Sequence, residues 1–365
     1  MRSGLLEPFG DAHAAAHALA GIQAQILPAA GLAIANRVSS FCQSDLDALL
    51  HEARSLVKLW GQRGTLHLYA VADWPLIVSA LQLYPTWWAR SAAKGEIDPV
   101  AFESAVQRTG SELAARGVLR RSDLRAPEME IAPDLLSSWG GVFAELVRSG
   151  EACHAGRDSA EGLFAHRGYW APGLTWEPPD TFDANVELSR RYFAAYGPAS
   201  VADLAFWRGG RVSDAREWVS ALEGELQAIP AVVDGESGRV RTMFHLRAGG
   251  LVGDLMSEPP PENWPVRLLY RFDPLLLAHK DKSALVDSAR YKSVWRSAGH
   301  VEGTVLVEGR IAGTWNYRRR ANHLDVAVAT FKPLSARQRA EIKREAATKA
   351  RYFDLSPGRI TIDRA

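Results

Sequence analysis

Two glutamines two residues apart, Gln23 and Gln25, are the first residues of this chain whose type and spacing could serve chemistry. On a helix, residues two apart point to nearly opposite sides, whereas on extended backbone they share a face, so the two amides converge only if helix has ended by Gln23. Residues 11–22 read as helix, and Pro28 discourages helix just before it. The alternative is that both glutamines close a helix end by bonding its loose carbonyls. Other groupings carry less. His51-Glu52 opens like a zinc-protease motif, but Ser55 stands where the second histidine belongs. His13 and His17, four apart on a helix, lack a third ligand and read as surface histidines. There is no Walker loop, no Gly-x-Gly-x-x-Gly after a strand and no nucleophile elbow, so neither a metal nor a cofactor is expected.

The elements that position these residues follow from composition and periodicity. A chain of 365 residues suits two or three globular units, and 47% hydrophobic residues with 12 Trp, 12 Phe and 9 Tyr provide their cores. Cys42 and Cys153 are isolated and imply neither a disulfide framework nor a zinc site. The Ala-rich stretch 5–27 is interrupted by Asp11, His13, His17, Gln23 and Gln25, which argues against a signal or membrane segment; a cytoplasmic protein is expected. The net charge of +1 conceals an asymmetry: residues 1–262 hold 23 basic and 32 acidic side chains, residues 263–365 hold 20 and 10. Such a basic segment suits a nucleic-acid partner, since phosphate neutralisation supplies most sequence-independent affinity, although a solvated charged surface is the plainer account.

One grammar recurs three times. From Ser44, apolar Leu46, Leu49, Leu50, Ala53, Val57 and Trp60 recur at helical spacing, with Ser44 and Asp47 as a capping box, and Arg63-Gly64-Thr65-Leu66-His67-Leu68-Tyr69 then alternates like a strand. Residues 134–148 repeat the helix, with Leu135, Leu136, Trp139, Phe143, Leu146 and Val147 on one face, before a strand-like stretch over 151–167. In the third copy Ser200 and Asp203 open a short helix, Arg208-Gly209-Gly210-Arg211 turns, and Ser213 starts a helix carrying Trp218 and Leu222; Asp234-Gly235 then lies between strand-like runs 227–233 and 239–246. Helix, tight turn, helix and hairpin is the organisation of a winged helix-turn-helix. Three tandem copies in an α+β fold are expected, at least one of them only supporting its neighbours.

Pro-rich joints at 171–179 and 259–265 divide the chain into 1–95, 96–178, 179–258 and 262–365. In the last segment 266–270, 303–307, 310–317 and 324–329 read as strands, Glu308-Gly309 as a hairpin turn, and 336–351 as a terminal helix closing a small sheet or barrel. Arg318-Arg319-Arg320 ends one strand, and Lys280, Lys282, Arg290, Lys292 and Arg296 cluster between strands, where they could line a phosphate track.

Several of these segments together carry a resemblance. Gly21-Ile22-Gln23-Ala24-Gln25, Arg63-Gly64-Thr65-Leu66-His67, Tyr196-Gly197-Pro198-Ala199 with Asp203-Leu204, Arg271-Phe272-Asp273-Pro274 with His279-Lys280-Asp281-Lys282, and Gly309-Arg310 with Gly313-Thr314-Trp315 resemble the successive signatures of the AlkZ-type DNA glycosylases, in order and over nearly the whole chain. The resemblance implies three winged helices and a β-rich, barrel-like C-terminal module around a concave DNA-binding surface, with Gln23 and Gln25 as the catalytic pair. Glutamine at both positions is similar to members acting on bulky antibiotic adducts and crosslinks.

Neutral residues suit that chemistry. A purine alkylated at N7 is cationic and already a good leaving group, so what remains is to hold a water near the sugar C1′ and tolerate an oxocarbenium-like transition state. An enzyme for unmodified bases would carry a carboxylate as general base. A bulky or crosslinked base suits an open groove better than a flipping pocket. The expected protein is a monomeric, monofunctional glycosylase for repair or self-resistance, its partner double-stranded DNA carrying alkylated purines. Arg63, His67, Lys280, Lys282, Arg318 and Arg320 are its expected DNA contacts. The rival is a non-catalytic winged-helix transcriptional regulator, which would need dimerisation and a palindromic operator.

Overall fold

The computed structural model describes residues 3–136, 141–158, 161–232, 240–247 and 260–365. Its contacts gather into two compact units, Met1–Leu46 with Val186–Ala365, and Asp47–Asn185.

The first unit is discontinuous because its amino-terminal helices have apolar faces to bury. Helix Leu27–Ala35 is apolar almost all round, and Ala29 and Leu32 enter the same core as Val305, Trp315, Val326 and Ile342 of the C-terminal module. There a sheet runs from edge to edge as Ser356–Arg364, His323–Thr330, Arg310–Arg319, Gly303–Val307 and Arg267–Leu269. Glu308 (φ 52°) and Gly309 (φ 76°) form the predicted hairpin turn, both in the left-handed region that such a turn requires. Along His323–Thr330, Leu324, Val326, Val328 and Thr330 are buried, and the helix Ala336–Tyr352 contributes Ile342, Ala346 and Ala350 to the same core.

Two expectations are corrected here. The helix is not terminal: strand Ser356–Arg364 follows it and pairs in parallel with His323–Thr330, so the helix is the crossover that a parallel pair needs. The sheet is also open rather than barrel-like, since Arg267–Leu269 and Ser356–Arg364 are opposite edges that do not pair with each other.

Buried polar groups tie these layers together. The Arg37 guanidinium, 0% exposed, donates to both carboxylate oxygens of Asp273 (2.7 and 2.8 Å) and to the carbonyls of Ser3 (2.7 Å) and Ala33 (2.9 Å). Beside it Asn36 donates to the Leu268 carbonyl (3.2 Å) and accepts from the buried ammonium of Lys349, which also reaches Glu345 (3.2 Å).

The remainder of this unit follows the third predicted repeat closely. Ser200 and Asp203 form the capping box, helix Val201–Arg208 ends at Gly209 (φ 77°), and helix Val212–Ala221 begins one residue ahead of Ser213. Strands Leu226–Val232 and Val240–Leu246 then pair as a hairpin; Asp234-Gly235 lies outside the described residues.

In the second unit the strands lie in the order Leu66–Ala70, Leu56–Trp60, Ala152–Asp158, Glu161–His166 and Val118–Arg120. The helix expected from Ser44 to Trp60 ends at residue 52. Arg54 (φ 49°) breaks it, and Leu56–Trp60 pairs residue by residue with Leu66–Ala70, so Val57 and Trp60 are strand residues. Its cap is shifted too, for Asp45 accepts the Cys42 N–H (2.8 Å). The helix expected over 134–148 is Gly141–Ser149, preceded by a single turn at Pro133–Leu135; Trp139 lies outside the described residues. Lys58 pairs with His154, so the hairpins of the first two predicted repeats share one sheet, and Phe143 stacks on Phe164 (4.0 Å) against it. No described helix is long and apolar enough to cross a membrane.

Breaking a buried pair by removing one partner strands a charge in the interior. Asp273→Asn is therefore expected to cost about 3–5 kcal/mol in denaturant unfolding, and the double change Arg37→Met with Asp273→Leu less than either single change.

Candidate active site and nucleic-acid face

Helix Ala12–Ala18 opens at Asp11, whose carboxylate accepts the Ala14 N–H (2.7 Å). It closes sooner than the predicted residue 22. Ala20 (φ 50°) and Gly21 (φ 101°) lie in the left-handed region, and the Gly21 N–H reaches back to the Ala16 carbonyl (2.8 Å), a helix-ending bond. Ile22–Gln23 is extended, and the next helix begins at Leu27 with Pro28 in its first turn. Both glutamines thus stand on non-helical backbone. They are not equivalent, for Gln23 is 7% exposed between fully buried Ile22 and Ala24, whereas Gln25 is exposed.

Distant motifs brace this segment. The Tyr196 hydroxyl donates to the Leu19 carbonyl (3.3 Å), just ahead of Gly21, and the Tyr196 carbonyl bonds the His279 ring through Nε2 (3.0 Å). Tyr192, packed beside Tyr196, donates to the Ala278 carbonyl (3.1 Å). Asp203 caps its own helix and also accepts the Lys280 N–H (2.8 Å). Burial opposes its ionisation, yet the bonds from Ser200 and Lys280 outweigh that and hold its carboxyl below the usual range. Burial likewise pushes the His279 imidazole down, against the pull of Asp203.

The predicted DNA contacts divide by burial. Lys282 is 4% exposed; its ammonium donates to the carbonyls of Leu276 (2.9 Å) and His279 and sits between the rings of Phe206 (5.0 Å) and Trp295 (5.3 Å). His67 is 3% exposed, its Nδ1 bonded to the Thr65 carbonyl (2.9 Å), and burial pushes its pKa down to about 3. Both were expected to contact DNA, and both are instead packed inward, each with a backbone carbonyl in reach. Arg63 (φ 58°) is half-buried in the turn Gln62–Gly64, ahead of a strand that starts at Leu66. Lys280, Arg318 and Arg320 are exposed. Arg318, Arg320 and Arg359 line a groove of about 500 Å³ on the C-terminal sheet, where Arg320 also reaches Asp325 (3.3 Å). Among the described residues no three His, Cys, Asp or Glu side chains gather as a metal site.

Sequence reading missed Arg37 and Asp273 as the pair behind this segment. A signal existed in Asp273-Pro274, a cap followed by proline at the first helical position, and Asp273 does accept the Leu275 N–H (3.0 Å).

The fold and these residues describe a mixed α+β protein with a braced, non-helical Gln-x-Gln segment and exposed arginines along an open sheet. The chain belongs to the AlkZ-like DNA glycosylase family, whose model matches residues 16–352. It is similar to an interstrand DNA cross-link repair glycosylase from Streptomyces sahachiroi, 27% identical over 356 residues that cover 93% of this chain and 90% of the relative. The solved structure of Streptomyces sahachiroi DNA glycosylase AlkZ matches it with a TM-score of 0.78 at 25% identity, over 99% of this chain and 96% of that one. The chain is thus a DNA glycosylase, and the regulator reading is not favoured.

His67 shares its state with His154, which lies against Trp60 (4.4 Å) and Phe164 (4.8 Å) and is likewise pushed by burial to about 3. A histidine in the unfolded chain titrates near 6.5, so between these values the unfolded state binds more protons. Each histidine's contribution is complete above that unfolded value and is lost as pH falls towards the folded one. By about pH 5 each should have cost roughly 2 kcal/mol. Urea midpoints of the wild type should therefore fall steeply on acidification, and His154→Leu should flatten that slope.

Proposed function

We propose that this glycosylase hydrolyses the C1′–N9 bond of purines alkylated at N7, with bulky adducts and interstrand crosslinks as its substrates, and that Gln23 and Gln25 position the water. The observation that carries this reading is the end of the first helix at Ala18, which leaves both amides on non-helical backbone, Gln23 in the strand Ile22–Gln23 and Gln25 two residues further on. The Streptomyces sahachiroi relative is a glycosylase of interstrand cross-link repair, which supports the substrate class.

An N7-alkylated purine is already cationic, so the C1′–N9 electron pair leaves with the base without prior protonation. The base departs neutral, water adds to C1′, and the surplus proton passes to solvent. Amide oxygens contribute by holding that water and by turning their dipoles towards the positive charge developing on the sugar. Gln25, the exposed amide, meets the water, and Gln23, 7% exposed, supplies the second amide oxygen. No lysine nucleophile enters this scheme, so the abasic strand is left uncleaved.

Segments 1–95, 96–178 and 179–258 act as winged helices. The third has helix, Gly209 turn, helix and two paired strands, and the shared sheet of the first two suits a copy that supports its neighbour. Arg63, Lys280, Arg318 and Arg320 contact the DNA backbone. One chain holds the glutamine pair and these cations, so a monomer acting in the cytoplasm suffices.

Gln23→Ala and Gln25→Ala are each expected to slow base release from an N7-alkylated duplex roughly 10²-fold while affinity for undamaged duplex is kept. Base release at the wild-type rate in both variants would remove the glutamines from the chemistry.

A further inference from the structure

A groove of about 750 Å³ opens along residues 280–292, and its charged lining is Lys280, Lys282, Lys292 and Arg310 against Asp281 and Asp287. Both acids are already held by arginines, Asp287 by Arg310 (2.7 Å) and Asp281 by Arg241 (3.3 Å). The Lys282 ammonium meets backbone carbonyls, and among the described residues no carboxylate pairs with Lys280 or Lys292, both exposed. Two exposed lysine charges therefore border one cavity with no carboxylate paired to them among the described residues, an arrangement that favours entry of an anion.

The groove also carries a ring. Tyr291, 42% exposed, stacks on Trp295 with centroids 5.2 Å apart and planes at 22°. Trp295 is fixed in turn, since its indole N–H donates to the Leu276 carbonyl (3.2 Å), so Tyr291 rests on an anchored support with its own surface open. A site for free phosphate would have no use for that ring, and an apolar partner none for the lysines. Exposed aromatic beside uncompensated cations is the makeup of a single-strand subsite, where bases stack without sequence preference and phosphates meet positive charge.

We infer that this groove receives an unpaired stretch of DNA strand, one base stacking on Tyr291 and the flanking phosphates lying against Lys280 and Lys292. The inference rests on the proposed function only for the identity of the polymer: a bulky or crosslinked base unstacks its neighbours, and unpaired nucleotides then lie beside the lesion.

The test measures binding of a labelled oligothymidylate strand to the full chain across a salt series, with base release from an N7-alkylated duplex read in parallel. Tyr291→Ala should weaken strand binding about tenfold, and Tyr291→Phe, which keeps the ring and controls for folding, should not. Lys280→Gln and Lys292→Gln should each lower the salt slope by about 0.7. Strand affinity and slope unchanged across Tyr291→Ala, Lys280→Gln and Lys292→Gln would overturn the subsite, even with base release intact. A wild-type chain that binds the strand in this way but frees no alkylated base would overturn the proposed substrate and leave the subsite standing.

Discussion

The Arg37–Asp273 pair joins residues 236 apart in sequence, and both side chains are wholly excluded from solvent. Two charges taken out of water are tolerated only when geometry and further hydrogen bonds repay the lost solvation, which here come from the Ser3 and Ala33 carbonyls and the Leu275 N–H. What the pair fixes is a closed circuit. From Asp273 the helix Pro274–Ala278 leads to His279, whose ring bonds the Tyr196 carbonyl, and the Tyr196 hydroxyl holds Leu19. From Arg37 the helix Leu27–Ala35 leads back to Gln25. The Gln-x-Gln segment is thereby held from both ends.

That circuit shows which parts of the molecule were legible beforehand. The capping box at Ser200 and Asp203 and the turn at Glu308-Gly309 depend on neighbours three residues away or fewer, and both formed as read. The residues from Ser44 to Trp60 misled because Leu, Val and Trp at helical spacing also fit a buried strand, and only the partner Leu66–Ala70 decides between them. The last strand was hidden by Pro357 and Gly358 at its start, although Ile360 and Ile362 alternate behind them. For the glutamines, sequence could state only a condition, that helix must end before them. The residues that enforce it, Ala20 with a left-handed backbone and Tyr196 from a distant helix, carry no local signature of that role.

Charge was legible in quantity but not in disposition. The segment 263–365 holds 20 basic side chains, yet many answer to the fold rather than to a ligand. Lys349 is buried against Asn36 and Glu345, Lys282 lies between two rings, Arg267 meets Glu345 (3.2 Å), and Arg296 meets Glu302 (3.1 Å). Exposed cations with no carboxylate partner among the described residues, such as Lys280, Lys292 and Arg318, are the ones able to release counterions from DNA, and they are fewer than composition suggests.

The same distinction bears on the chemistry. A carboxylate beside the sugar would help an oxocarbenium ion but would also repel the phosphates that flank it, whereas an amide can aim a dipole at C1′ and stay neutral towards the backbone. It cannot drive out a base that is not already charged, because it offers neither a proton nor a strong base. On the proposed mechanism, selectivity for cationic purines needs no pocket shaped to the lesion, because weak catalytic groups exclude ordinary bases and leave the surrounding structure free to accommodate bulk. Amides do not titrate, so the acid sensitivity expected of this protein lies in its fold, where burial holds the imidazoles of His67 and His154 neutral.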